Sequence, residues 1–395
     1  MTGRASLALA ALLLAACARA DTPVAVAPPL GLPPLPLPAT NPLTREKVDL
    51  GRRLFMDRRL SHNNTMSCAM CHVPEQGFTS NELGAAIGIG GRSLRRNAPT
   101  LYNVGYQRSF FHDGREPHLE EQAWSPLLAR VEMGMPSMGY VTEKVRQLPE
   151  YRGLFEAAFG GPVTSERIGQ ALASYQRTLV SGNSRFDRWR YGGDAAALDA
   201  REQRGFGVFA GKGRCVACHR VGEQSALFTD HRFHNTGIGW ERAMQPARAS
   251  YRVQLAPGTF VEVDGALLSA FEPPQADTGR YEVTGTLEDR WAYKTPTLRN
   301  AALTAPYMHD GSLATLEEVV GFYDRGGIAN ENRSPLIAPL GLDAEERAAL
   351  VAFLKTLTGD NVETLARDAR SAPATLPVPA RDAADVHLES LLERP

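Results

Sequence analysis

Two Cys-x-x-Cys-His pentapeptides, Cys68-Ala69-Met70-Cys71-His72 and Cys215-Val216-Ala217-Cys218-His219, constrain this 395-residue chain more than any other feature. Two cysteines three positions apart share one turn and can add to the two vinyl groups of one haem, and the histidine that follows reaches the iron from the proximal side. The same residues could supply three ligands to a tetrahedral zinc or act as a thioredoxin-type redox pair. The adjacent histidine, the duplication and the missing βαβ context favour two covalently attached haems c. The cysteine count then closes, because only Cys17 is left over and no disulfide is needed.

The N-terminus directs the chain out of the cytoplasm. Arg4 precedes an apolar run through Leu12, Leu13 and Leu14, which reads as a secretory signal too short to span a membrane. It ends in Leu14-Ala15-Ala16-Cys17, which resembles the bacterial lipobox, so residues 1–17 read as a lipoprotein-type signal with Cys17 as the lipidated residue. Ordinary cleavage after Ala18 or Ala20 is the alternative. Residues 18–42 are proline-rich with almost no charge, as in Leu32-Pro33-Pro34-Leu35-Pro36-Leu37-Pro38, and predict an extended spacer holding the globular part off the membrane. A net charge of -1 argues against nucleic acid and against electrostatic membrane binding, leaving a lipid anchor as the membrane contact.

Helical periodicity and start signals predict helices over Thr44–Asp57, Thr142–Phe159, Thr164–Leu179, Leu198–Phe209 and Asp343–Leu357, hence a mainly α fold. Each haem motif follows a helix ending near a phenylalanine, Phe55 or Phe209, a weak internal repeat consistent with two cytochrome c-like domains packed together. The predicted domains are 43–190 and 191–360, with a boundary near Tyr191-Gly192-Gly193 and a weakly patterned tail over 361–395. Tyr251–Leu255 and Thr259–Val263 alternate around Pro257-Gly258 and predict a β-hairpin inserted in the second domain, either a decoration or a partner-docking element.

Several longer motifs carry a resemblance. Phe110-Phe111-His112-Asp113-Gly114-Arg115, Leu119-Glu120-Glu121-Gln122 and Val131-Glu132-Met133-Gly134 lie between the pentapeptides; Lys294-Thr295-Pro296-Thr297-Leu298-Arg299-Asn300, Tyr307-Met308-His309-Asp310-Gly311 and Thr315-Leu316-Glu317-Glu318 follow the second. Together they resemble the bacterial dihaem cytochrome c peroxidase superfamily, which includes MauG, over Leu43 to Gly359. The resemblance implies a peroxide site at the N-terminal haem, with His72 as proximal ligand, and an electron-transfer haem in the C-terminal half, with His219.

It also assigns roles to individual residues. No histidine occurs between His72 and His112, and the loop Ala85–Gly91 offers no strong iron ligand, so the first iron keeps an open position as in the MauG-like branch. Glu132 takes the place of the catalytic glutamate and Gln122 of its supporting glutamine; without the resemblance Glu132 would read as a solvated charge. Tyr323 stands where the peroxidases carry a methionine ligand to the second iron, and tyrosinate lowers the potential relative to methionine. The alternative makes Tyr323 a core aromatic and gives the iron Met308, His309 or His234. A calcium ion between the domains would take the Asn97 side chain and the carbonyls of Thr304 and Pro306, although Asn97 alone reads as a turn cap.

Two positions depart from the pattern. His112 stands where an inter-haem tryptophan is usual, and imidazole is harder to oxidise than indole. Gly213 replaces a surface tryptophan from which MauG passes oxidising equivalents to its protein substrate; Trp124, Trp189, Trp240 and Trp291 are other routes or structural residues. The resulting expectation is a periplasmic oxidoreductase that consumes hydrogen peroxide. It would draw electrons from a small cytochrome c, a copper protein or a residue of a protein substrate. A dihaem electron carrier without catalysis is the competing reading, and it fits poorly with an open first iron beside Glu132 and Gln122. A haem-based sensor is a third, for which no output domain is evident.

Overall fold

Residues 24, 26–244, 250–256, 259–265 and 276–371 are described by the computed structural model, so the signal segment and Cys17 lie outside the described residues. The helices include α1 (Arg45–Met56), α2 (Met138–Gln147), α3 (Leu154–Phe159), α4 (Ser165–Arg177), α5 (Arg185–Arg190), α6 (Ala200–Ala210), α7 (Leu316–Asp324), α8 (Ala344–Lys355) and α9 (Val362–Arg370). Two antiparallel ribbons complete the fold: β1 (Phe233–Asn235) pairs with β4 (Ala292–Lys294), and β2 (Ser250–Ala256) pairs with β3 (Thr259–Asp264). The fold is thus mainly α with the expected hairpin. Among the described residues no helix is long and apolar enough to cross a membrane.

Helix starts follow local chemistry. Thr44 and Thr164 accept from the backbone of Lys47 and Arg167, and reciprocal capping boxes open α5 (Ser184, Asp187), α6 (Asp199, Glu202), α7 (Thr315, Glu318) and α8 (Asp343, Glu346). The single helix expected over Thr142–Phe159 is instead two, α2 and α3, because Leu148 before Pro149 is extended and Gly153 adopts φ +77°.

Two cores organise the chain into lobes. One gathers Leu54, Phe55, Phe155, Ile168 and Tyr175; the other gathers Phe186, Phe209, Phe228, Phe353 and Leu357. The lobes repeat one crossing. In the first, α1 meets α4 so closely that a Cβ on Gly51 would sit 1.9 Å from the Ala171 carbonyl and 2.9 Å from Tyr175 Cβ. In the second, α6 meets α8, and a Cβ on Gly205 would sit 2.0 Å from the Ala349 carbonyl and 2.8 Å from Phe353 Cβ. Glycine is required at both crossings because backbone packs directly on backbone.

The proline-rich segment is not a free spacer. Its backbone accepts from both lobes: Asn183 N–H donates to the Leu30 carbonyl (2.9 Å), Ala226 N–H and Arg299 Nη2 to that of Gly31 (3.0 and 2.6 Å), and the Tyr106 hydroxyl to that of Pro33 (3.0 Å). Leu32 and Leu43 are buried. Polyproline-like chain makes no internal hydrogen bonds, so its carbonyls are free to bond elsewhere, and here the body supplies the donors. Gly31, at φ +84°, lies where a Cβ would be 1.8 Å from Asp187 Oδ1, and Asp187 is bound by Arg299 at 2.8 and 2.9 Å with both side chains buried. The expected tail also has structure: α9 returns to the first lobe, where Asp368 pairs with Arg52 and Arg370 with Glu75.

Candidate functional site

The two Cys-x-x-Cys-His turns close alike, with His72 N–H on the Cys68 carbonyl (2.9 Å) and His219 N–H on the Cys215 carbonyl (2.8 Å). Each imidazole Nδ1 then meets a backbone carbonyl, Phe78 for His72 (3.1 Å) and Phe228 for His219 (2.8 Å). Both phenylalanines are fully buried and both adopt left-handed φ, +53° and +51°. Such a conformation is unusual for a bulky residue, and here it turns the carbonyl toward the ring. A threonine braces each turn from behind: Thr100 Oγ1 donates to the Gly77 carbonyl (2.6 Å) and Thr297 Oγ1 to that of Leu227 (2.8 Å). These carbonyls fix the tautomer with the proton on Nδ1 and leave Nε2 as the lone-pair donor, the arrangement that orients a ligating histidine. Burial lowers both histidine pKa values, which keeps the rings neutral.

The surroundings of the cysteines fit haem better than a thiolate-bound metal. Cys68, Cys71, Cys215 and Cys218 are unpaired and half-buried, and Cys68, Cys71 and Cys215 pack against the two cores. Burial pushes the Cys68, Cys71 and Cys215 thiols up to about 12 and that of Cys218 up to about 11. A thioether bond to an apolar macrocycle leaves no charge to bury at such positions. Cys218, Asp230 and His234 place ligand atoms within 4.8 Å of one another. However, both His234 nitrogens are already engaged, by Asp230 at 2.9 Å and Ser334 Oγ at 3.3 Å.

Glu132 is held beside the first motif. Its carbonyl accepts from Ile89 N–H (2.8 Å), and Gly88 packs on its backbone, where a Cβ would be 1.8 Å from the Val131 carbonyl. The histidine-free loop is therefore the element that covers Glu132. The side chain is partly buried and near enough to Cys68 and Cys71 for its charge to raise both thiols. Desolvation raises the Glu132 pKa, opposed by the Arg115 guanidinium, which stacks on the Phe111 ring at 3.5 Å. Sequence reading did not single out Arg115. Gln122 ends the short helix Leu119–Gln122; among the described residues its side chain has no hydrogen bond to Glu132.

Tyr323 lies on α7 against the second motif. Burial raises its pKa strongly, and Cys218 and Cys215 add to the shift, which places the phenol beside both cysteines. Of the alternatives weighed for this position, His234 is engaged as above, and His309 stacks on Tyr293 with ring centroids 3.6 Å apart and planes 12° from parallel. Trp124 and Trp291 are buried, while Trp189 packs edge-on against Phe206 (5.4 Å) in the second core.

His112 sits where the lobes meet. Its Nε2 bonds the Asn97 carbonyl (3.0 Å), and burial lowers its pKa to about 3, so it is neutral. Asn97 Nδ2 approaches the Gly84 carbonyl (3.0 Å) and the Pro306 carbonyl (3.4 Å). The amide and the two carbonyls make an oxygen-rich setting. Gly84 was not foreseen as part of this cluster, and Thr304 lies two residues before Pro306 on the same loop.

Comparison with known proteins identifies the family. The profile of the di-haem cytochrome c peroxidase family matches residues 45–196. The methylamine utilization protein MauG of Methylorubrum extorquens is 40% identical over 325 residues, covering 82% of this chain and 81% of that one. The cytochrome c551 peroxidase of Nitrosomonas europaea is 36% identical over 82% of this chain and 83% of its own. Among solved structures, a MauG-like protein associated with microbial copper homeostasis aligns with a TM-score of 0.71 at 33% identity, covering 88% of this chain and 98% of that one. The chain belongs to the di-haem cytochrome c peroxidase and MauG family of oxidoreductases.

Proposed function

We propose that this chain is a periplasmic dihaem c-type peroxidase with two unequal sites: an open one at His72 that uses hydrogen peroxide, and one at His219 and Tyr323 through which a cytochrome c or similar donor supplies electrons. The observation that carries the reading is the contrast in what flanks the two motifs. A partly buried carboxyl, Glu132, lies near enough to Cys68 and Cys71 for its charge to act on both, and a partly buried phenol, Tyr323, lies near enough to Cys215 and Cys218 to feel theirs. The lobes would correspond to residues 43–190 and 191–360, each holding one haem.

Haem bound at His72 supplies an iron position where peroxide can be reduced. The chain's own residues handle the proton. Glu132, with its pKa raised by burial, both accepts a proton from peroxide and releases it nearer neutral pH than an exposed glutamate does. Arg115 stabilises the carboxylate before the proton is accepted and after it is released, and Gln122 is assigned to orient the oxidant. Asn97, with the Pro306 and Thr304 carbonyls, would hold calcium at the seam, where oxygen donors suit that ion. Export through residues 1–17, with Cys17 lipidated, would place the protein at a membrane surface facing the periplasm.

A second reading rests on Tyr323: a MauG-like enzyme that oxidises a residue of a protein partner. One experiment serves both. Ferric protein should show one high-spin and one low-spin haem by electron paramagnetic resonance. Peroxide-treated protein is then given a reduced small cytochrome c; fast turnover supports the peroxidase and a long-lived oxidised state the MauG-like enzyme. Two low-spin haems would remove the open site and with it the proposal.

A further inference from the structure

We propose that Tyr293 is the redox relay between the lobes, carrying the oxidising equivalent past His112; this rests on the peroxidase reading above. The position is set by contacts on both sides. Tyr293 stands directly opposite His234 in the β1–β4 ribbon, so the two side chains share a face. His234 bonds Asp230, and both lie within 4.8 Å of Cys218 at the second motif. On its other side the Tyr293 ring stacks on His309, whose carbonyl accepts from Asn97 N–H (2.7 Å), and the Asn97 carbonyl is bonded by His112. Two residues on from Asn97, the Pro99 carbonyl lies against the His72 ring of the first motif and favours its N–H. Tyr293 is thus the oxidisable ring in a continuous set of contacts from Cys218 to His72.

The ring has a fitted slot and a proton acceptor. A Cβ on Gly239 would lie 2.8 Å from Tyr293 Cε2, and one on Gly279 3.1 Å from its Cζ, so both glycines leave the space the ring fills. The hydroxyl donates to the Asp277 carbonyl (3.3 Å) and faces the Asp277 carboxylate, which Arg96 holds in place at 2.6 and 2.7 Å. His309 and His112 are too hard to oxidise to serve as the relay themselves.

With haem bound at both motifs, reduction of hydrogen peroxide to two waters would take two protons from solvent by way of Glu132 and two electrons, one from the first haem, which keeps that oxidising equivalent, and one drawn through Tyr293. Tyr293 would lose one electron while its phenolic proton moves to Asp277, and one electron from the second site with the same proton would restore the phenol. The second site would be left oxidised by one equivalent and Tyr293 unchanged.

The test uses full-length holoprotein mixed with peroxide, followed by stopped-flow optical spectroscopy and freeze-quench electron paramagnetic resonance. In Tyr293→Phe, the first-haem step should keep its rate, oxidation of the second haem should slow at least about tenfold, and a tyrosyl radical seen in the unmodified protein should disappear. Incorporating 3-fluorotyrosine at 293, nearly isosteric with the native residue, should alter the splitting of that radical even where the Phe variant folds poorly. Oxidation of the second haem at an unchanged rate in Tyr293→Phe, or a radical spectrum insensitive to fluorine at 293, overturns the relay alone. An unmodified protein whose haems do not respond to peroxide overturns the relay and the peroxidase reading together.

Discussion

The backbone amide of Asn97 donates to the carbonyl of His309 at 2.7 Å, and the amide of Lys294 donates to the carbonyl of His112 at the same 2.7 Å. The two bonds are one bond made twice, because Asn97 and Lys294 each precede a Pro-Thr-Leu run by two residues and His112 and His309 each precede Asp-Gly. The chain therefore meets itself across a local two-fold relationship. What differs between the halves is the side chain at the meeting point: Arg96 in the first repeat and Tyr293 in the second, with the guanidinium 5.5 Å from the ring centroid. Function is asymmetric where the backbone is not.

Glu132→Gln should slow the peroxide-dependent step by about 10²–10⁴, the usual contribution of a positioned acid/base group, with both haems retained. It should also stabilise the fold in a pH-dependent way. The folded pKa of Glu132 lies above its unfolded value, so the wild type loses stability as pH rises through that folded value. The variant carries no such loss. Melting temperatures of the two should match in acid and diverge in the variant's favour toward neutral and alkaline pH, and parallel melting curves at every pH would refute the burial argument.

Tyr323→Met should raise the reduction potential of the second haem by a sizeable part of the roughly 0.8 V open to axial-ligand choice. Spectroelectrochemical titration of the variant against wild type checks this. If the potential does not move, Tyr323 is a core aromatic and another residue binds the iron.

Gly51→Ala and Gly205→Ala should each destabilise one lobe by about 1–3 kcal/mol, since an added methyl must push two helix backbones apart. Urea denaturation followed at each haem band should show the first variant loosening the lobe of Cys68 and the second that of Cys215.

Asp187→Asn should cost about 3–5 kcal/mol, because it leaves the Arg299 guanidinium buried without its counter-charge. Gly31→Ala strains the same junction from the side of the proline-rich segment. The double variant should fall short of the sum of the two, as expected for residues that share one contact, and denaturation midpoints provide the measurement.

The haem motifs, the helix caps and the hairpin were legible because each is a local pattern. Residues three or four apart determine whether Cys68 and Cys71 share a turn or whether Thr315 finds Glu318. Pro149 and Gly153 were equally visible, yet the hydrophobic period ran through them and joined two helices into one. What could not be read was non-local. Nothing near Phe78 or Phe228 announces a left-handed residue whose carbonyl orients a histidine, and the proline content of residues 18–42 describes that segment's own stiffness without naming Asn183, Ala226 and Arg299 as its partners. The stack of Tyr293 on His309 joins residues from separate motifs, and only the fold brings them face to face.

The docked proline-rich segment also limits how far the body can stand from the N-terminus. A free leash from Cys17 to Leu43 would let the body stand up to roughly 90 Å from its point of attachment, at about 3.5 Å per extended residue. Docking of the segment from Val26 onward, with Val24 N–H bonded to the Leu43 carbonyl, takes the stretch from Val24 to Leu43 out of that reach. If Cys17 carries the lipid proposed above, the body would stand much nearer its anchor than the proline content of residues 18–42 suggests.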